Sequence, residues 1–391
     1  MGLLPYYYDK IIYEALMENP VDFDNITNIK EIPLYQIISE AILKEFGILY
    51  EDKLPKEIWK VIRSLRRPLS EIQEQFRSLC QINETLPEQR SPEWYKFREN
   101  LLTASSWGNI LGYIGSRKEV LLQKCGYEPA QFKGNEFTRW GTKYEPIATR
   151  IYERRTGKKI TDFGCMRHPA PENFFLGASP DGISDDGVML EIKCPPRRVI
   201  CGTPTDYYWA QMQGQLEVCD LERCDFLECK LVEFSSCEEY MEHIQMVDAG
   251  LTTENIECGV SIDFRIDADT IKTIHSEFFI KGDAINDFII TGMAENKNIK
   301  FIGPTYWRIE IYQVNPVFRD REWFTWAREH LKIFYDEWQF YKSVGYKSLL
   351  TERQFKPKKD DMEDTKITDY EGFVVPEPET PKPPSKKFVF R

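Results

Sequence analysis

The stretch that most restricts the fold of this chain is residues 177–195, GASPDGISDDGVMLEIKCP. Two short apolar runs flank Asp185-Asp186-Gly187, the composition of a tight reversal, so the segment predicts an antiparallel hairpin. Side chains alternate faces along a strand, which places Glu191 and Lys193 on one face and turns Ile192 to the other, into a core. A hairpin of this length brings Asp181, ahead of the first arm, alongside Glu191 on the second. A charged pair inside an otherwise apolar strand is costly to bury and unusual without a purpose. Two carboxylates with no His beside them make a hard-oxygen set suited to Mg²⁺ or Mn²⁺. An ammonium two residues away can orient or help deprotonate a water, or stabilise a phosphate under attack. The spacing alone also fits a surface hairpin carrying ordinary charges.

The remainder of the chain sets bounds on that chemistry. Its 391 residues are 42% hydrophobic and 14% aromatic, enough for one large or two ordinary globular domains. No apolar run reaches the ~18 residues of a membrane span, and the N-terminus lacks a basic segment followed by an apolar one. A soluble, intracellular protein is expected. Ten Cys and four His include no C-x-x-C pair, which argues against zinc and for reduced, mostly buried thiols. The run Cys219, Cys224, Cys229, Cys237 follows strand-and-turn periodicity more than an iron–sulfur ligand set. A net charge of −12 excludes a generic nucleic-acid coat. From Lys133 to Arg198, however, twelve Lys or Arg face nine Asp or Glu. That local balance fits an enzyme gripping a polyanion at one cleft, or equally a set of solvated helix faces.

Residues 1–85 read as helical, with apolar residues at helical spacing in IIYEALMENP, LYQIISEAILKEFGIL and KEIWKVIRSL. From 86 to about 234 strands and helices alternate. Ser91-Pro92-Glu93 opens a helix with Trp94, Phe97 and Leu101 inward. A second amphipathic helix carries Trp140, Tyr144, Ile147, Ile151 and Tyr152 on its inner face and ends at Gly157. Strand-like runs follow in KKITDFGCM, NFFLGASPDGI, GVMLEIKCP and CDFLECKLVEF, with the helix YYWAQMQGQLEVC between the last two. Residues 235–300 show no clear pattern and read as an insertion. A strand returns at 306–314, followed by a long aromatic helix. Residues 351–391 hold six Pro and no net charge, the composition of a disordered tail, closing on the apolar KKFVFR.

Four blocks, in order, then make a specific match: PEWYKFRENLLTAS (92–105), WGTKYEP (140–146), GASPDGI with LEIKCP (177–195) and YYWAQMQGQLEV (207–218). They resemble the YqaJ-type viral recombinases, the family of the phage lambda exonuclease in the PD-(D/E)XK nuclease superfamily, and extra segments of this kind resemble large-DNA-virus members. The resemblance implies an α/β fold with a restriction-endonuclease-like core, a central mixed sheet flanked by helices, across 86–350, with an insertion at about 235–300 and a helical extension at 1–85. It implies Asp181 and Glu191 as metal carboxylates, the Ile192 carbonyl completing the set, and Lys193 as the catalytic lysine. Glu145 would support the centre from its helix, and Gln211 would face it from the next one. Gln213 has a less defined part. Arg98 and Ser105 resemble a pocket for a 5′-phosphate, where a guanidinium fork and a hydroxyl suit that anion. The implied activity is a Mg²⁺-dependent 5′-to-3′ exonuclease on double-stranded DNA ends, with Mn²⁺ a substitute. The implied partners are DNA ends, a single-strand annealing protein and further copies of the chain, in a host cytoplasm. Rival readings are an endonuclease or structure-specific repair nuclease on the same core, or a non-catalytic DNA-binding scaffold. The phosphate pocket would separate the first rival and an intact Asp–Glu–Lys set the second.

Overall fold

A computed structural model of the protein describes residues 8–19, 26, 28–127, 136–200, 202–267 and 270–350. The expected tail at 351–391 lies outside the described residues, as does Cys201. The N-terminal helices form as read: α1 (Tyr8–Glu18), α2 (Pro33–Phe46), α3 (Leu54–Leu65) and α4 (Leu69–Asn83). Then come α5 (Pro92–Glu99), β1 (Leu102–Thr103), α6 (Trp107–Ile110), α7 (Arg117–Lys124) and α8 (Glu136–Thr156). β2 (Ile160–Thr161), β3 (Met166–Arg167), β4 (Leu176–Ala178), β5 (Gly182–Ser184) and β6 (Met189–Lys193) precede α9 (Asp206–Val218) and β7 (Arg223–Glu233). There follow α10 (Cys237–Asp248), β8 (Cys258–Arg265), β9 (Ile271–His275), α11 (Asp283–Glu295), β10 (Lys300–Phe318) and α12 (Arg321–Val344).

The architecture is mixed α/β. A seven-stranded sheet runs in the order β2-β5-β6-β7-β10-β8-β9, and a small second sheet in the order β1-β4-β3. The β6–β7 pair is parallel, with Glu191 opposite Phe226 and Lys193 opposite Glu228, while the other pairs of the large sheet are antiparallel. A parallel pair needs a crossover, and α9 supplies it. Pleating splits β6 between two layers. Leu190 and Ile192 join Tyr144, Ile147 and Ile151 of α8 in one core cluster, whereas Met189 joins Met212 and Leu216 of α9 in the largest one. Glu191 therefore faces α9 and Ile192 the α8 layer, as alternation predicts.

Two single runs in the sequence are each divided between the two sheets. KKITDFGCM breaks into β2 and β3 around Phe163-Gly164, and NFFLGASPDGI into β4 and β5 around Ser179-Pro180-Asp181. Pro180 has no N–H to give a ladder, so the chain changes sheets there. The reversal at 185–187 forms as expected, with Gly187 at φ 74° in the left-handed region. Residues 235–300, patternless in sequence, add β8 and β9 to the large sheet; the 19-residue β10 pairs with β8 along its first half and β7 along its second. Helices α1–α3 bury their own apolar faces, Ile12, Ile38, Ile58 and Val61 among them, against Phe318 at the end of β10. Asp9 fastens that contact: one carboxylate oxygen accepts from the Phe318 N–H at 3.0 Å and the other lies 2.7 Å from Lys60 Nζ. Burial pushes the Asp9 carboxyl up to about 7, against the pull of Lys60. No helix among the described residues is long and apolar enough to cross a membrane.

Candidate active site

The β5–β6 hairpin and helix α9 build the centre. Asp181 closes the sheet-to-sheet turn, and its Oδ2 accepts the Ile192 N–H at 2.7 Å, which holds the carboxylate beside the second arm. Glu191 is 1% exposed. Its Oε1 accepts from Gln211 Nε2 at 2.6 Å and from Lys193 Nζ, and its Oε2 accepts from Gln215 Nε2 at 2.7 Å. Gln211 and Gln215 are four apart and share one helix face; Gln213 lies between them and points away. Its amide bridges the chain after β10, donating to the Phe318 carbonyl at 2.9 Å and accepting the Asp320 N–H at 2.7 Å. Gly214 lets α9 approach closely, since a Cβ there would stand 2.8 Å from Trp107 and 2.9 Å from Ala104. Tyr208, one turn before Gln211, lays its ring 4.9 Å from Lys193 Nζ.

Glu145 reaches the same place from the α8 layer. Arg90 Nη2 donates to both its oxygens at 3.0 and 2.9 Å. Glu145 and Lys193 line one cleft of about 370 Å³ together with Ile192, Tyr208 and Arg198. The electrostatics are those of crowded carboxylates. Burial holds the Asp181 carboxyl well above its ordinary range, and the charges of Glu191 and Glu145 push it further; Lys193 and the Ile192 N–H pull it back. Burial likewise raises Glu145, with Arg90 and Lys193 opposing. Burial would lower the Lys193 ammonium, but Glu191 and Asp181 outweigh it and the group is raised. Among the described residues no three His, Cys, Asp or Glu side chains converge as a ready-made cage. Asp181, Glu191 and the Ile192 carbonyl are a smaller, all-oxygen set. The fit to a hard divalent cation rests on that donor chemistry and on the repulsion that the Asp181 carboxylate meets from Glu191 and Glu145.

The second expected pair also meets. Arg98 stacks 4.1 Å from the Trp94 ring and donates to Ser105 Oγ at 3.3 Å. Its other amino group donates to Ser179 Oγ at 2.9 Å. These partners are hydroxyls, where an ordinary surface salt bridge has a carboxylate. Burial lowers the Arg98 guanidinium from its ordinary value. Ser105 lies in the one-turn helix Ala104–Ser106, whose N-cap position is held by Thr103. Ser105 and Thr103 line a second cavity of about 780 Å³ with Ser116, Lys124 and Lys342.

Four residues at these sites escaped the sequence reading. Gln215 was open to it, because four-residue spacing from Gln211 puts both amides on one helix face. Ser179 sits two residues before Asp181, the interval that keeps side chains on one side of an extended chain. Arg90 lies in a loop without periodicity. Glu228, fully buried opposite Lys193 on β7, pairs with Arg198 at the cleft, and only the sheet order brings it there.

Fold and geometry thus define a mixed α/β domain with a buried carboxylate–lysine centre at its parallel strand pair. Residues 93–222 match the YqaJ-like viral recombinase domain. Over 246 residues the chain is 31% identical to an uncharacterized protein of Acanthamoeba polyphaga mimivirus, covering 57% of this chain and 43% of that protein. The chain thus spans less than half the length of that relative. Among solved structures it is similar to the alkaline exonuclease of Laribacter hongkongensis, with 18% identity, 65% of this chain and 95% of that one covered, and a TM-score of 0.41. It is also similar to a phage related exonuclease from Haemophilus somnus 129PT, at 14% identity, 63% and 96% coverage and a TM-score of 0.35.

Proposed function

We propose that the protein is a Mg²⁺-dependent nuclease that resects double-stranded DNA from 5′-phosphorylated ends in viral recombination, repair or replication. The observation that carries this reading is one three-residue turn: Ser179, bonded to Arg98, stands two positions from Asp181, bonded to the strand of Glu191. An anion-binding corner and a carboxylate–lysine centre are joined by a single stretch of backbone.

Asp181, Glu191 and the Ile192 carbonyl would hold the metal, with Mn²⁺ able to substitute. The chemistry supplied by a divalent ion there is acidification of water and neutralisation of phosphate charge. Gln211 and Gln215 fix the Glu191 carboxylate through both oxygens, so its lone pairs keep one direction. Lys193 Nζ, shared with Glu191, donates to water or to a phosphate oxygen. Arg98, Ser105 and Ser179 receive the terminal 5′-phosphate and set the scissile bond at the centre. Water oxygen bonds to phosphorus as the phosphorus–O3′ bond breaks, and the leaving O3′ gains a proton. The shortened strand ends in a new 5′-phosphate, the group that the Arg98 corner accepts again.

In this reading residues 1–85 and about 235–300 are additions to a nuclease domain spanning 86–350, and the working partners are DNA ends, a single-strand annealing protein and further copies of the chain. The test is digestion, with Mg²⁺, of linear duplexes with and without 5′-phosphate, beside closed circles. Nucleotide release from the phosphorylated linear duplex is expected. Nicking of closed circles refutes the exonuclease reading in favour of an endonuclease, and unchanged cleavage by Asp181→Ala or Lys193→Ala refutes the site.

A further inference from the structure

We propose that Arg90 is a positioning residue of the centre: it is the built-in counter-ion of Glu145 and competes with a divalent cation for that site. The proposal rests on the metal-dependent reading above and states what regulates metal occupancy.

Arg90 lies ahead of the 93–222 domain segment, in the loop between α4 and α5, yet its guanidinium clasps both oxygens of Glu145. Its φ of 66° is in the left-handed region, which favours glycine. A long side chain keeps such a backbone only where its surroundings impose it, and residues of this kind gather at functional sites. The imposing contacts are specific. Gln89 Nε2 donates to the Phe163 carbonyl at 2.7 Å and to the Pro180 carbonyl at 3.1 Å. Upstream, the Asn83 side chain donates to the Asp162 carbonyl and accepts the Gly164 N–H, both at 2.8 Å. Downstream, Ser91 Oγ caps α5 by accepting the Trp94 N–H at 3.2 Å. The loop is therefore pinned to the very turn that carries Asp181, and the guanidinium is aimed at Glu145.

The Arg90 side chain is 45% exposed, so it can leave Glu145 without opening the core. A guanidinium and a hard cation seek the same carboxylate lone pairs. With Arg90 in place, one of three crowded carboxylates is already neutralised and held in direction. Without it, Asp181, Glu191 and Glu145 share Lys193 as counter-charge and present a stronger negative field to any divalent ion.

Arg90→Gly is the informative variant, because glycine accepts the backbone while the guanidinium is lost. Mn²⁺ is titrated into the full chain without DNA, and free Mn²⁺ is read by electron paramagnetic resonance. The expected result is a Mn²⁺ dissociation constant about tenfold lower in Arg90→Gly than in the wild type. That gain should vanish in a Glu145→Gln background, which assigns it to this pair. Equal or weaker Mn²⁺ binding by Arg90→Gly overturns the proposal, as does a gain that persists without Glu145. Should neither protein bind Mn²⁺, the metal-dependent reading falls and this inference with it; equal binding by both removes this inference alone.

Discussion

Replacing Asp181 by Asn should abolish cleavage and yet make the metal-free protein more stable. Asp181 is a half-buried carboxylate repelled by Glu191 and Glu145 and attracted by Lys193. Arg90 already offsets Glu145, and Lys193 is bonded to Glu191, so roughly one like-charge pair remains uncompensated. Two unit charges about 6 Å apart at an effective dielectric near 20 repel by about 3 kcal/mol. Relaxation and residual attraction to Lys193 reduce this to about 1–2 kcal/mol, within the range that active-site substitutions of this type release. The Asn amide oxygen can still accept the Ile192 N–H, so the turn keeps its tie. At about 2–4 °C per kcal/mol, the melting temperature in EDTA should rise by about 2–8 °C. The gain must also depend on pH. A carboxyl raised in the folded state favours folding fully below its unfolded pKa and loses that contribution as pH climbs through the folded one. The advantage of Asp181→Asn should therefore be small at low pH and widen upward from the ordinary carboxylate range. Calorimetry in EDTA at several pH values reads this directly. A melting temperature equal to or below wild type near pH 8 refutes the crowded-carboxylate argument, as does an increment that is the same at every pH.

Three further outcomes follow from the same geometry. Arg98→Ala removes a charge-assisted contact worth about 1.5–3 kcal/mol, so KM for 5′-phosphorylated duplex should rise by about ten- to a hundredfold while unphosphorylated ends are cleaved as before; an unaltered preference counts against the pocket. Gln215→Leu leaves one oxygen of buried Glu191 without its donor, and kcat should fall by at least about tenfold at saturating DNA. Gln213→Ala should instead cost about 1–3 kcal/mol of stability in a denaturant titration, with kcat of the folded fraction preserved, since its amide serves only the chain around Phe318 and Asp320.

The hairpin, the shared face of Glu191 and Lys193, and the helices α5, α8 and α9 were legible because each depends on a local period. What sequence could not show depended on long-range placement. NFFLGASPDGI reads as one strand, and nothing in its alternation says that its halves join different sheets; the divide falls at Pro180, whose missing N–H is visible only as a break. Residues 235–300 gave no period because β8 is buried nearly throughout and β9 lies at the sheet edge, so neither alternates cleanly. Glu228 and Arg90 reach the cleft by tertiary contacts 30 and 55 residues long in sequence, to Arg198 and Glu145. The three glutamines of α9 are the instructive middle case. The motif drew attention to Gln211 and Gln213, while helical spacing alone favours Gln211 with Gln215, and the structure follows the spacing.

The change of sheets at Ser179-Pro180-Asp181 has a metrical consequence. Two residues of extended chain span at most about 7 Å, close to the length of one nucleotide, and here both ends are tied, Ser179 to Arg98 and Asp181 to the Ile192 N–H. On the proposed function, this strip of backbone is a ruler whose two marks are the strand's end and the bond to be cut. The size of each product is then a property of peptide geometry, and a single residue inserted between the marks would shift the scale.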